Sequence, residues 1–308
     1  MSRTATYGAA APLLALSAIV LLLAAPVAAG QNPPAKQAPA APAPLTVQRI
    51  TASLYLVKGG SGANTAFYVT GQQVFAIDAK MTVEAAAAML AEIKKATAVP
   101  LTTLIITHSD GDHISGLPGF PKGLTIVAHE KCKSDIVAAA EALPALKDHV
   151  PGKTYDSARL PLYKGGDGEV ELAYFGPAHT SGDTVVVFPR EKAVFVGDLL
   201  FVGRDPLIHR NKGGNSFGYV RTLEALLALE PRIETFLSGH ADPLTRTDVE
   251  SLRAAMSDKQ AKVKAMIAEG KTLEDVKKAF GIEDRPAGPG GRRWLSLVET
   301  IYLELTEK

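Results

Sequence analysis

Short apolar and alternating runs between residues 46 and 243 predict many β-strands, and longer helical patterns separate some of them. The run L-T-T-L-I-I-T at 101–107 is rich in apolar and β-branched residues, which is typical of a buried strand. The alanine-rich segment 82–97 opens with Thr82 and predicts a helix, because threonine commonly caps helix N-termini. Strands in runs with helices between them favour two sheets packed face to face with helices outside. Further strands are predicted at 46–50, 54–58, 64–79 (as a hairpin), 124–129, 169–175, 184–189, 193–197 and 234–239, and further helices at 131–146, 217–229, 246–269, 272–280 and 293–305.

The N-terminal part of the chain has a composition unlike that of the rest. Arg3 precedes the apolar stretch L-L-A-L-S-A-I-V-L-L-L-A-A-P, and Val27 and Ala29 fit the small-residue rule for cleavage after Ala29. We therefore expect residues 1–29 to be a signal peptide that is removed on export to the periplasm or the medium. An uncleaved membrane anchor is the alternative, because the apolar stretch is nearly long enough to span a bilayer. Residues 30–45 are rich in proline and alanine, which predicts an extended linker.

The remaining sequence is predicted to form a catalytic domain at 46–243 and a helical extension at 244–308 that packs on it. In the full chain, 33 Lys and Arg residues balance 32 Asp and Glu residues, so charge gives no sign of a nucleic-acid partner. Cys132 is the only cysteine in the 308 residues, which excludes an intrachain disulfide and a thiolate zinc finger. We expect Cys132 to be a small buried side chain.

Four predicted strands end in a loop that places histidine or aspartate beside small residues. The loops read T-H-S-D-G-D-H, G-P-A-H-T-S-G-D, F-V-G-D-L-L-F and L-S-G-H-A-D-P. A single such loop is usually a polar turn. Four in succession favour a metal site, because turns do not require histidine and a rigid strand end can aim a ligand. The candidate ligands are His108, Asp110, Asp112, His113, His179, Asp198 and His240.

This succession of motifs resembles the metallo-β-lactamase-fold hydrolases, whose signature is T-H-x-H-x-D-H, a later histidine, an aspartate after glycine and a final G-H. The resemblance implies an α+β fold, an αββα four-layer sandwich of two mixed β-sheets flanked by helices. It also implies two divalent metal ions, expected to be Zn²⁺. The F-V-G-D-L-L-F context resembles the glyoxalase II-like branch, in which the aspartate bridges the metals. By this resemblance His108 and His179 would bind the first metal, Asp112, His113 and His240 the second, and Asp198 both.

Asp110 departs from the family pattern, which usually has histidine as the third ligand of the first metal. A carboxylate can fill that role, but its shorter reach also leaves open that Asp110 does not bind metal. Asp110 raises the number of ligand carboxylates from two to three, with Asp112 and Asp198. We therefore expect the pKa of metal-bound water to be higher than with histidine, and Fe or Mn to become an alternative to zinc.

The sequence accordingly predicts an exported dinuclear-metal hydrolase that uses a metal-bridging hydroxide to cleave an ester, thioester, lactone or amide. The motif does not establish β-lactam hydrolysis, because many chemistries share this site. Asp112 and Asp198 are the predicted catalytic residues. The polar segment after Asp198 supplies His209, Arg210 and Lys212 as candidate contacts to a small-molecule substrate. We expect no nucleic-acid partner and no stable membrane association after signal cleavage, and the oligomeric state stays open.

Two other functions fit the same residues. One is an iron-dependent oxidoreductase of the diiron or persulfide-dioxygenase type, because diiron relatives on this fold carry a carboxylate at the position of Asp110. The other is a non-catalytic metal-binding protein. Among the remaining histidines, we expect His129 to be structural and His149 to lie at the surface, while Thr107 and Thr180 are candidate hydroxyls that support the ligands.

Overall fold

A computed structural model of the chain describes residues 43–283 and 293–307, which lie within one compact unit. The predicted signal peptide and most of the predicted linker lie outside the described residues. Within the described part of the chain, no helix is both long and apolar enough to cross a membrane.

The first sheet contains seven strands in the order in which they follow in the chain. Neighbours among the first four strands pair antiparallel, and neighbours from the fourth to the seventh pair parallel. The strands are β1 (Thr46–Arg49), β2 (Leu54–Lys58), β3 (Thr65–Val69), β4 (Val74–Ile77), β5 (Leu101–Ile105), β6 (Thr125–His129) and β7 (Lys153–Tyr155).

The second sheet has five strands in the order β12-β11-β10-β9-β8. Neighbouring strands of this sheet pair antiparallel, except for β11 and β12. These two pair parallel, with Phe195 opposite Leu237. Three strands of this sheet therefore end at the same edge, and each is followed by a predicted ligand loop. The strands are β8 (Arg159–Gly165), β9 (Gly168–Ala173), β10 (Val185–Phe188), β11 (Ala193–Phe195) and β12 (Thr235–Leu237).

Three apolar clusters divide the molecule into four layers. The middle cluster joins side chains of both sheets, such as Leu56 and Phe75 from the first and Phe188 and Phe195 from the second. The other two clusters pack helices against the outer face of each sheet. The expected αββα sandwich of two mixed sheets is thus confirmed. The helices are α1 (Val83–Ala96), α2 (Gly111–Ile114), α3 (Glu130–Ala142), α4 (Ser216–Leu227), α5 (Arg246–Ala268), α6 (Leu273–Ala279) and α7 (Leu297–Thr306).

Three differences between the predicted elements and this architecture have a clear physical reason. The helix expected at 131–146 ends at Ala142, because Pro144 begins a separate 3₁₀ turn (Pro144–His149). Strands β7 and β8 were not predicted, since β7 has three residues and β8 contains Pro161 and several polar side chains. The last helix begins at Leu297 rather than residue 293, where Ser296 caps it in a capping box with Glu299.

The predicted C-terminal extension contributes side chains to the apolar cluster outside the second sheet. Val263 of α5, Val276 of α6 and Ile301 of α7 are fully buried in the same cluster as Leu223 of α4. These helices cover one face of a sheet that carries three ligand loops. The boundary of the extension at residue 244 stays a prediction.

We expect Ile301→Ala to lower the free energy of unfolding by about 2–5 kcal/mol, because it removes buried methyl groups and leaves a cavity. Leu305→Ala on the same helix is the matched control, since Leu305 is 37% exposed whereas Ile301 is fully buried. Denaturant unfolding of both variants measures the difference. Equal, small effects of the two substitutions would show that α7 is not part of the core.

Candidate metal site

Loops at the ends of β5, β9, β11 and β12 bring all seven candidate ligands together at one edge of the sandwich. The ligand atoms form two groups, and within each group they lie within 4.8 Å of one another. We call them the first group and the second group. The first group is His108, Asp110, His179 and Asp198, and the second is Asp112, His113 and His240.

Asp198 lies between the two groups. Its Oδ1 is 3.0 Å from His113 Nε2, and its Oδ2 is 3.0 Å from His240 Nε2, both in the second group. Oδ2 is also 3.9 Å from the Nε2 atoms of His108 and His179 in the first group. One carboxylate therefore faces four imidazole rings, two from each group.

Buried polar atoms in these groups lack hydrogen-bond partners among the described residues. They are His108 Nε2, His113 Nε2 and Asp198 Oδ1, the last two lying 3.0 Å apart without the geometry of a hydrogen bond. Burying a polar atom without a partner costs free energy, so such atoms point to a ligand. Ring nitrogens and carboxylate oxygens are the donors that zinc and similar divalent ions take in proteins. The residues present therefore fit divalent metal binding.

Hydrogen bonds fix the ring orientation of three histidines. His113 Nδ1 donates to Asp78 Oδ2 at 2.7 Å, and His179 Nδ1 donates to the carbonyl oxygen of Leu207 at 2.7 Å. The Thr107 hydroxyl donates to Asp78 Oδ2, so that its oxygen can accept from His108 Nδ1 at 3.0 Å. Each contact leaves the Nε2 lone pair directed into the site.

Asp78 is a functional residue that sequence reasoning missed. It directly follows β4, is fully buried, and accepts hydrogen bonds from the backbone and hydroxyl of Thr107 as well as from His113. A backbone φ of 61° turns it toward these partners, an uncommon conformation outside glycine. The sequence signal was an acidic residue directly after the apolar run V-F-A-I. Thr107 has the supporting role expected of it, whereas the Thr180 hydroxyl donates to Asp183.

Two glycines allow the close approach of these loops. A Cβ at Gly239 would lie 2.6 Å from Asp198 Oδ1, and a Cβ at Gly197 would lie 2.7 Å from Thr107 Oγ1. Gly197 also has a φ of 54°. Both positions therefore exclude larger residues for steric reasons.

The electrostatics of the site favour positive charge. Burial lowers the pKa of both His179 and His240, but neighbouring carboxylates outweigh it. Asp110 raises the pKa of His179 to about 9. Asp112 and Asp198 raise the pKa of His240 to about 9. Burial would raise the pKa of Asp198, yet the surrounding histidines hold it well below its usual value. The metal-free site thus attracts protons, and metal binding must release them.

Asp110 has partners on a second loop. Lys212 Nζ donates to its Oδ1 at 2.7 Å, and His209 Nε2 lies 2.6 Å from its Oδ2. Arg210, which lies between them, instead forms an ion pair with Glu307 at 2.6 Å. All three side chains that were predicted to contact a substrate therefore contact acidic side chains of the protein itself. Their contact with a substrate stays a prediction.

The other singled-out side chains lie away from the two groups. Cys132 is buried, as expected. His129 caps α3 by accepting from the backbone N–H of Lys131 and stacks on Tyr174, which fits a structural role. The expectation for His149 is wrong: it is only 7% exposed, because the 3₁₀ turn after Pro144 folds it inward.

Residues 59–240 match the sequence profile of the metallo-beta-lactamase superfamily. The chain belongs to this superfamily. The resemblance inferred from the motifs is confirmed, and the chain is a metal-dependent hydrolase of this superfamily. The match begins after β2 and ends at His240, so it spans both ligand groups.

Individual relatives of this superfamily member differ in what they act on. A metallo-beta-lactamase type 2 of Elizabethkingia meningoseptica is 27% identical over 207 residues, covering 66% of this chain and 78% of the relative. The alpha subunit of a 2,4-dinitroanisole O-demethylase of a Nocardioides species is 33% identical over 108 residues, covering 34% of this chain and 30% of that one.

Solved structures support the same fold. A metallo-beta-lactamase from Pontibacter korlensis superposes with a TM-score of 0.57 at 18% identity, covering 68% of this chain and 99% of that one. A stereoselective inverting sec-alkylsulfatase from a Pseudomonas species gives 0.65 at 16% identity, covering 85% of this chain and 50% of that one. At such identities the likeness defines the fold and leaves the substrate open.

We expect Asp78→Asn to weaken the binding of one metal equivalent by about 10–100-fold, the range typical of outer partners of metal ligands. The amide created by the substitution would donate to His113 Nδ1, so the ring proton would move to Nε2. A proton on Nε2 occupies the lone pair that would bind the metal. Elemental analysis after dialysis against graded chelator measures the loss. Asp242→Asn is the control, because that acid is exposed and pairs with Lys58. Unchanged metal retention in a folded Asp78→Asn protein would contradict this role of Asp78.

Proposed function

We propose that this superfamily member is an exported hydrolase with two Zn²⁺ ions that cleaves an ester, thioester, lactone or amide of a small molecule. The observation that supports it most is the position of Asp198, whose two oxygens face histidines of both groups. In this proposal the first group holds one ion, the second group holds the other, and Asp198 is shared.

The donor set supports zinc. Four imidazole rings converge with three carboxylates, and imidazole and carboxylate are both common zinc ligands. Two ions bound in this way would activate water and polarise a carbonyl group. The chain's own contribution is to hold the ligands rigidly at the ends of strands, with tautomers fixed by Asp78, Thr107 and the carbonyl of Leu207.

Asp112 is the carboxylate best placed to exchange a proton with the substrate. Its side chain is 28% exposed, against 15% for Asp110 and 6% for Asp198. Its Oδ2 is 3.2 Å from His240 Nε2, and its pKa is lowered by that hydrogen bond and by His113 against the opposing effect of burial. An ionised, accessible carboxylate can accept a proton.

The surroundings of His240 support a small substrate that makes polar contacts. A cavity of about 400 Å³ opens beside His240, lined in part by Lys58, Asn64 and Asp242. On another side, the ring of Phe201 stacks on that of His240 with centroids 5.5 Å apart. Phe201 is only 6% exposed and its ring also lies under the Arg204 guanidinium, so it holds the imidazole in place while the polar recess is the side of His240 open to a substrate.

Elemental analysis of protein purified without added metal tests the proposal, with about two zinc ions per chain expected. Chelation should abolish the hydrolysis of a panel of esters, thioesters, lactones, amides and β-lactams, and zinc should restore it. We expect Asp198→Asn to lower the rate by more than the roughly 100-fold typical of outer partners. Asp148→Asn should leave it unchanged, because Asp148 is exposed and pairs with Lys122 away from the two groups. Iron with a visible absorption band would instead support the oxidoreductase, and tight zinc binding without turnover the non-catalytic alternative.

Export is the second part of the proposal and rests on the sequence alone. We expect the mature chain to begin at Gly30, after cleavage following Ala29. Intact-mass measurement on protein from the periplasmic fraction of a bacterial host checks this, and Ala29→Asp should block cleavage at that site. A full-length chain recovered with the membrane fraction would support the uncleaved anchor.

A further inference from the structure

We propose that Lys212 is a positioning residue that offsets the charge of Asp110, so that the Asp110–Lys212 pair replaces a neutral histidine in the first group. The inference rests on the proposed function, because it assumes that the first group holds a cation. It assigns to Lys212 a task different from the substrate contact expected from the sequence.

The two oxygens of Asp110 face different surroundings. Oδ1 accepts from Lys212 Nζ at 2.7 Å. Oδ2 lies 3.2 Å from His179 Nε2 and 3.9 Å from His108 Nε2, the two histidines of the first group. It also lies 2.6 Å from Nε2 of His209, outside the group. Lys212 therefore holds Oδ1, the oxygen without a histidine contact, while Oδ2 faces both histidines of the first group and is oriented by His209.

Lys212 is itself held on several sides. Its ammonium group also donates to the carbonyl oxygen and the hydroxyl of Ser109, both at 3.1 Å. The Ser109 hydroxyl donates in turn to Asp135 at 3.1 Å. The Lys212 side chain is only 22% exposed. Three acceptors in fixed positions thus hold the ammonium beside Asp110.

The backbone after Lys212 explains how the loop reaches this position. Lys212 ends a 3₁₀ turn (Arg210–Lys212) that closes on Gly213, whose φ is 71°. A Cβ at Gly214 would lie 2.3 Å from the carbonyl oxygen of His179. The backbone N–H of His209 donates to that same oxygen at 2.9 Å. The K-G-G sequence therefore lets the Lys212 loop pack directly on the loop that carries a ligand of the first group.

The charge of the site follows from these contacts. Exchanging a neutral histidine for Asp110 adds one negative charge beside the metals, and Lys212 adds one positive charge to the same carboxylate. The expectation that Asp110 raises the pKa of metal-bound water and favours harder metals assumed a carboxylate without a counter-charge. With Lys212 in contact, the charge matches that of a site with histidine at this position, which favours retention of zinc.

A double-mutant cycle on the full chain tests whether Asp110 and Lys212 act as one unit. The cycle uses Asp110→His, Lys212→Met and both together, with Zn²⁺ affinity measured by chelator competition. Asp110→His alone should weaken binding, because it leaves the ammonium beside the cation. Adding Lys212→Met should then strengthen binding at least tenfold, whereas Lys212→Met in the wild-type chain should not strengthen it. Equal effects of Lys212→Met in both backgrounds would overturn the proposal.

A spectroscopic measurement separates positioning from general stability. With Co²⁺ as the probe metal, Lys212→Met should change the visible absorption bands, while Lys212→Arg should keep those of the wild type. Lys212→Gln provides a second neutral variant should Lys212→Met unfold. Lys58→Met is the control, since Lys58 pairs with Asp242 and should show no coupling to Asp110→His. Unchanged bands in both neutral variants would overturn the proposal, whereas a wild-type chain that binds no metal would refute the proposed function itself.

Discussion

The buried negative charge of Asp198 is the constraint around which the site is arranged. This side chain is 6% exposed, and a carboxylate removed from water is stable only when charges or hydrogen bonds compensate it. Four imidazole rings surround it within 3.9 Å. In the metal-free chain, protons on His179 and His240 supply part of the compensation, as their raised pKa values indicate. A pair of divalent cations would supply it in full, and the protons would leave.

The sandwich meets this constraint by directing strand ends from both sheets to one edge. Strands β5, β9, β11 and β12 end there, so ligands far apart in the chain meet without a long flexible loop. The strands themselves are apolar and pack between the sheets and under the helices, which fixes where each loop starts. Precise placement of ligands thus comes from ordinary core packing, and glycines at 197 and 239 remove the steric barrier to close approach.

The convergence of the candidate ligands could be predicted from the sequence, because each one lies in a segment that follows a run with a clear apolar pattern. Asp78 follows such a run as well, but it has no histidine nearby, so the sequence did not mark it as a candidate. The contact between Lys212 and Asp110 could not be predicted at all, since 102 residues separate them and only the folded loops bring them together. Short or mixed strands such as β8 were missed for a related reason: their pairing with neighbours stabilises them more than their own composition does.

The distance in sequence between Lys212 and Asp110 also explains why the charge of a metal site cannot be counted from its ligand motif alone. In the motif T-H-S-D-G-D-H taken alone, Asp110 adds one negative charge to the set of candidate metal ligands. The expected change in metal preference follows from that added charge. In the folded chain the carboxylate is shared between the first group and an ammonium that Ser109 holds in place. The charge that a bound cation would experience comes from all the groups within contact distance, not from the ligand motif alone. A substitution in the motif therefore changes the chemistry of the site only when no neighbouring group compensates the charge it adds.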